Sequence, residues 1–440
     1  MNKTHNPAIQ SWVESARSPE TDFPLQNLPF GVFRRKGERA QPAVGVALGS
    51  MIIDIGRLHR ILPFNGIAAK GADACTEGTL NRFLAAGQEV WSALRAELFD
   101  RFSEEETTNR PVLEQALVPM TDAEMLLPVS IGDYTDFYTS IFHATNVGSM
   151  FRPDNPLLPN FKHIPIAYHG RASSVVVTGT AVRRPSGQTK SDDAPAPSFG
   201  PTRLLDYEVE VGMVVGPGNQ PGSPISIDAT RSNIFGLCLL NDWSARDLQK
   251  WEYQPLGPFL AKNFATTISP WLVTLEALEP FRAPAFQRPA GDPDPLPYLS
   301  STGERETGGI DITLEALISS QRMREEKRPG HRVSRGNFKE MYWTVGQMLA
   351  HHASNGCHMR PGDLLGSGTV SGPEKDQRGC LLELTWRGKE PITLPTGETR
   401  KFLEDGDEVT LRGRCERNGC RRIGFGECSG VILPASGGTS

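Results

Sequence analysis

The stretch Asp206-Tyr207-Glu208-Val209-Glu210-Val211-Gly212-Met213-Val214-Val215 alternates between polar and apolar residues through its first six positions. Successive side chains of an extended chain point to opposite faces, so a period of two predicts a β-strand. Tyr207, Val209, Val211 and Met213 then share one face, and Asp206, Glu208 and Glu210 share the other. Like charges crowded on one face repel unless water or a shared cation offsets them. For an alternation met alone, the ordinary reading is a solvated strand face.

The neighbouring segments favour the cation. The apolar run Ile234 to Leu240 reads as a buried strand, and it ends in Asn241-Asp242. Asp133-Tyr134-Thr135-Asp136-Phe137-Tyr138 supplies further acids beside aromatic residues. Carboxylates without cysteine or clustered histidine suit a hard ion, Ca2+ or Mg2+, rather than zinc. His351 and His352 are consecutive in a predicted helix, so they diverge by about 100° and do not chelate one ion. His143 follows the acidic-aromatic segment; taken alone, a single histidine is structural more often than catalytic. Lys262 follows the turn Gly257-Pro258, where a lone lysine is usually solvated. Glu383 stands in the apolar run Leu381 to Trp386, expected as a strand, where a buried acid requires a partner that a histidine would provide.

Further out, 440 residues predict two domains rather than one core. The 44 glycines and 35 prolines imply many turns between short strands, hence a β-rich, mixed α+β fold. A net charge of −5 without a long Lys/Arg run argues against nucleic-acid binding. No secretory leader pattern and no membrane-spanning apolar window is found, so a cytoplasmic enzyme is expected, with its seven scattered cysteines reduced. Phe30–Phe33 and Ala43–Leu48 read as strands. A helix is expected from Thr79 to Leu98, and another from Asn337, as N-cap, to His352. The charged stretch 104–111 precedes a boundary that divides the chain into 1–125, an accessory domain, and 126–440, which holds the chemical groups. The segments 184–201 and 280–309 read as long irregular loops of the kind that serve as lids.

Several ordered motifs resemble the fumarylacetoacetase family from Ile131 to about Gly430. They are Asp133 to Tyr138, His143-Ala144-Thr145-Asn146-Val147-Gly148, Tyr168 to Ser174, Asp206 to Glu210, Asn241 to Arg246, and Trp251-Glu252-Tyr253 with Pro255 to Phe259. Tyr342-Trp343-Thr344, Arg360 to Asp363 and Gly368-Thr369 follow, and Phe23-Pro24 to Phe33 resembles the family's N-terminal opening. The resemblance implies an SH3-like barrel followed by a larger mixed β-roll domain, in a homodimer. It also implies hydrolysis of the carbon–carbon bond of 4-fumarylacetoacetate to fumarate and acetoacetate, the last step of tyrosine and phenylalanine breakdown through homogentisate. Carried over residue by residue, Asp136, Glu208, Glu210 and Asp242 would hold Ca2+. A second ion, Mg2+, would lie near Asp242, Lys262 and Thr266. His143 would be the general base, oriented by Glu383. Arg246, Gln249 and Lys262 would face the developing oxyanion, and Tyr138, Arg152, Gln249, Tyr253 and Thr369 would contact the diketo-acid substrate. Ala261 and Ala265 stand where glycines are usual in the family, a departure that makes the second ion less expected than the first. Two alternatives stay open: an acylpyruvase-like relative acting on another diketo acid, and a metal-bound binding protein without catalysis.

Overall fold

The computed structural model describes residues 1–37 and 41–437. The two β-type runs form β1 (Phe30–Arg35) and β2 (Ala43–Leu48), followed by β3 (Met51–Asp54). With β4 (Leu117–Pro119) and β5 (Ala123–Leu126) they make an antiparallel sheet in the order β4-β3-β2-β1-β5. Helices α1 (Ile55–Ile61), α2 (Gly66–Ala74), α3 (Asn81–Ala85) and α4 (Gln88–Phe102) lie between β3 and β4. The single helix expected from Thr79 to Leu98 is therefore two. Gly87 separates them at φ +84°, a left-handed conformation that glycine adopts without a Cβ clash.

The second part is built on a mixed sheet in which β6 (Tyr134–Phe137), β7 (Ala167–His169), β8 (Val175–Val177), β11 (Val209–Val215), β12 (Ile234–Asp242), β14 (Thr266–Ile268) and β17 (Leu364–Gly366) run in the order β7-β6-β17-β11-β12-β14-β8. Against it lies a second sheet, β16-β15-β18-β19-β9, made from β9 (Val182–Arg183), β15 (Thr313–Ser319), β16 (His331–Asn337), β18 (Glu408–Cys415) and β19 (Ile423–Leu433). A short pair, β10 (Leu205–Asp206) with β13 (Ser244–Ala245), stands beside them. The fold is β-rich and mixed, as expected. The alternating stretch is two strands, because the chain leaves the β10 pairing at Tyr207 and enters the main sheet at Val209.

Both faces of β11 are covered. Val209, Val211 and Met213 pack with Leu314, Leu411 and Phe425 of the second sheet. Val214, with Leu240 and Leu364, packs against Phe30, Phe83 and Trp91 of the N-terminal part. The Phe235 ring lies 5.1 Å from Trp91 and 5.7 Å from Phe30, so the two parts share one core. The acidic face is closed to solvent, which excludes the ordinary reading of an isolated alternation: Glu210 is 0% exposed and Glu208 5%. Placing several charges there is costly unless they are paired or bind an ion.

Three further expectations are corrected. Glu383 lies on a helical turn, α8 (Leu381–Leu384), not a strand. Asn337 caps only a 3-10 turn, Phe338–Glu340; helix α7 (Val345–His352) starts at Thr344, whose side chain accepts from Gln347 N while Gln347 reaches back. The segment 184–201 contains a hairpin, Ser186–Thr189 with Ser198–Pro201, and is not wholly irregular.

Candidate active site

The acidic cluster forms where three chain segments meet. Asp136 is next to last in β6, Glu210 sits early in β11 with Glu208 just before that strand, and Asp242 ends β12. Asp136 pairs in register with Gly366 of β17, and Asp242 with Thr266 of β14. One carboxylate oxygen from each of the four acids lies within 4.8 Å of the others. A Cβ on Gly366 would stand 2.9 Å from both Asp136 Oδ1 and Glu210 Oε2, so glycine there lets the two carboxylates approach.

The oxygens are unequally satisfied. Arg246 Nη1 donates to Glu208 Oε1 at 2.7 Å and Lys262 Nζ to Glu208 Oε2 at 2.5 Å. Asp242 accepts from Lys262 at 2.8 Å, Thr266 Oγ1 at 2.9 Å and Tyr168 OH at 3.1 Å. Gly368 N donates to Glu210 Oε2 at 3.0 Å. Asp136 Oδ1 and Glu210 Oε1 are buried with no hydrogen-bond partner. Burial and the nearby Asp242 push the Asp136 carboxyl well up, and burial and Asp136 do the same to Glu210. Burial also opposes ionisation of Glu208, yet the Lys262 and Arg246 cations outweigh it and hold that carboxyl far below its usual range. An all-oxygen cage with two orphaned carboxylate oxygens fits a hard divalent cation, whose charge would ionise both acids.

Lys262, placed by the family resemblance at the oxyanion and near the second ion, is buried beside the cluster; burial disfavours its charge, but Asp242 and Glu208 keep it protonated. An ammonium has no lone pair, so the only metal donor Lys262 can offer is its main-chain carbonyl. A cavity of about 230 Å³ lined by Tyr134, Tyr168, Arg171, Phe259 and Lys262 adjoins this side of the cluster.

His143 lies on helix α5 (Ile141–Phe151), capped by Ser140, whose hydroxyl accepts from His143 N at 3.2 Å. Its Nδ1 meets Glu383 Oε2 at 2.6 Å, both side chains buried. Burial opposes the charge on Glu383, but His143, Asn146 and Cys380 hold its carboxyl below the usual range. An ionised carboxylate only accepts, so Nδ1 carries the hydrogen, and in the neutral ring Nε2 is the nitrogen with the lone pair. Asn146 Nδ2 at 2.8 Å and Ser371 Oγ at 2.9 Å complete the ring of donors around Glu383. Sequence reading missed Asn146 as a Glu383 partner; its i+3 spacing from His143 was the available signal. Ser371 had no such signal.

Arg246 begins α6 (Arg246–Glu252), and its Nη2 is a buried donor without a partner. Gln249, one turn on, accepts from Arg246 Nη1 at 3.2 Å. Tyr138 stands edge-on to His143 with ring centroids 5.3 Å apart, and Thr369 Oγ1 is buried and unpartnered. Arg152, at the end of α5, and Tyr253, at the end of α6, are exposed. The remaining histidine pair has other partners: His352 meets Thr135 Oγ1 at 2.8 Å and His351 meets Tyr298 OH at 2.9 Å.

Two family models match the chain, "Fumarylacetoacetase N-terminal" over residues 26–128 and "Fumarylacetoacetate (FAA) hydrolase C-terminal" over residues 134–432. The chain is 49% identical over 421 residues to a fumarylacetoacetase of Bos taurus, covering 94% of this chain and 97% of that one. It is 50% identical over 421 residues to one of Caenorhabditis elegans, with the same coverage. To one of Dictyostelium discoideum it is 49% identical over 435 residues, covering 97% of this chain and 98% of the relative.

Proposed function

The chain belongs to the fumarylacetoacetate hydrolase family, and from that membership we infer that it hydrolyses the carbon–carbon bond of fumarylacetoacetate to fumarate and acetoacetate. The observation that carries the mechanism is the buried His143–Glu383 bond together with the four-carboxylate cluster.

Asp136, Glu208, Glu210 and Asp242 would hold the divalent ion, Ca2+ in this reading, which when bound acts as a Lewis acid toward the diketo oxygens. His143 Nε2 takes a proton from water, and the resulting hydroxide adds to the carbonyl beside the fumaryl double bond. Glu383 stabilises the imidazolium so formed and keeps the ring in the productive tautomer. The unpaired Nη2 of Arg246, with Lys262 and Gln249, offsets the negative charge that develops on the carbonyl oxygen. When the carbon–carbon bond breaks, its electron pair stays with the acetoacetate carbon. His143 returns the proton to that carbon, so atoms and charge balance over the cycle. Tyr138, Arg152, Tyr253 and Thr369 contact the substrate, and Arg152 balances one of its two carboxylates. The second ion, Mg2+ near Asp242, Lys262 and Thr266, has fewer free donors, since Thr266 and Lys262 already occupy Asp242.

Family membership also supports reading residues 1–125 as an SH3-like barrel and 126–440 as the catalytic β-roll, in a cytoplasmic homodimer. No helix among the described residues is long and apolar enough to cross a membrane. The decisive assay follows loss of fumarylacetoacetate absorbance with purified protein, with chelator, and after Ca2+ is restored. Turnover indifferent to chelation rejects the metal's role, and faster turnover of short acylpyruvates reassigns the substrate.

A further inference from the structure

Asp206 was grouped by sequence with Glu208 and Glu210, yet it points away from the acidic cluster. It is 0% exposed, and the neighbouring Tyr207 N donates to its Oδ1 at 2.9 Å. Its Oδ1 accepts from Leu381 N at 2.8 Å and its Oδ2 from Leu382 N at 3.0 Å, the first two amides of α8. Arg246 Nε donates to the same Oδ2 at 2.9 Å. The residue after Leu382 is Glu383, and the other arm of Arg246 grips Glu208. One carboxylate thus touches both the turn that aims the base's partner and the guanidinium that borders the metal cage.

We propose that Asp206 is a positioning residue, which fixes the His143–Glu383 pair relative to Arg246 and Glu208. The proposal rests on His143 and Glu383 acting as the base pair. A carboxylate can accept from all of these donors at once. An asparagine offers one acceptor oxygen: its NH2 group either opposes both Leu382 N–H and Arg246 Nε–H at the Oδ2 position or, flipped, opposes Leu381 N–H and Tyr207 N–H at the Oδ1 position, and either way the clamp opens. Displacements on the order of 1 Å in a reacting constellation cost about 100-fold in rate. A clamp whose only role is folding would lower the folded fraction and leave the turnover of the folded molecules alone.

The test is a kinetic cycle of Asp206→Asn and Glu383→Gln in the full chain, with rates expressed per mole of folded protein from unfolding curves. Asp206→Asn is expected to lower kcat by about 10- to 100-fold with KM changed far less. On the Glu383→Gln background it should add much less than it does alone, because its main route of action is already broken. Asp206→Glu, which keeps the charge but lengthens the arm, should fold and lower kcat too. An unchanged kcat per folded molecule, or the same factor on both backgrounds, overturns the proposal. So does failure of both Asp206 variants to fold, which assigns the residue to folding alone. Full activity in Glu383→Gln by itself removes the base pair, and the proposal with it; that outcome is read from the single variant and is distinct from the others.

Discussion

At the scale of single residues, the site separates carboxylates by their partners. Glu383 and Glu208 have cationic or strong donor partners, whereas Asp136 and Glu210 keep orphaned oxygens. For the first group, His143→Ala should lower kcat by about 10²–10⁴-fold, the usual worth of a general base. Glu383→Gln should lower it strongly as well, and the double variant should be little worse than His143→Ala, since the pair acts as one unit. Steady-state rates of the three variants, set beside their thermal unfolding, check this; multiplicative losses would remove the pair from the mechanism. For the second group, Gly366→Ala places a methyl 2.9 Å from Asp136 Oδ1 and Glu210 Oε2. It should weaken divalent-ion binding by about tenfold or more, equivalent to about 1.4 kcal/mol, as measured by calorimetric titration. Unchanged affinity would place the ion elsewhere. The titration of this group also has a definite sign. In the ion-free folded chain Asp136 and Glu210 retain protons that the unfolded chain has lost, so the folded state binds more protons above about pH 4. Stability of the chelated protein should therefore fall as pH rises from there, and Ca2+ should abolish most of that slope. Melting temperatures recorded across pH with chelator and with Ca2+ test it.

At the scale of elements, the central sheet does two jobs along one face. Its inner stretch, with Val214, Leu240 and Leu364, is apolar and meets the N-terminal helices and strands; the carboxylates continue the same row toward the strand ends. The N-terminal part is thus a wall of the core that holds the strands carrying the four carboxylates. Phe235 joins Phe30, Phe83 and Trp91 at that contact. Phe235→Ala should cost about 3–5 kcal/mol, as large-to-small substitutions of buried aromatics do. Denaturant unfolding should remain a single transition, because both parts bury their apolar surface on each other. A first transition confined to the N-terminal part would show that the contact is dispensable.

At the scale of the whole molecule, the proposed homodimer has a direct test. Light scattering at micromolar concentration should give about twice the 48.2 kDa of one chain; a single species at the chain mass rejects it. The exposed side chains of Phe199, Leu256 and Phe259 are large and apolar, which makes self-association worth measuring across concentration rather than at one point.

What the sequence determined by itself was local or compositional. The period of two around Val209, the apolar run ending in Asp242 and the glycine and proline content pointed to a β-rich fold and to a cluster of acids suited to a hard ion, because strand alternation and hard-ion chemistry follow from residue type and spacing. Recognition of the ordered motifs gave the His143–Glu383 pairing, which no local pattern contains across 240 positions. Tertiary structure alone decided burial and partners. It closed the acidic face completely, buried Lys262 against two carboxylates, and moved Glu383 from an expected strand to a helical turn held by Asp206. The reason is physical: alternation fixes which way a side chain points, but the charge it can carry depends on what other segments bring to that face.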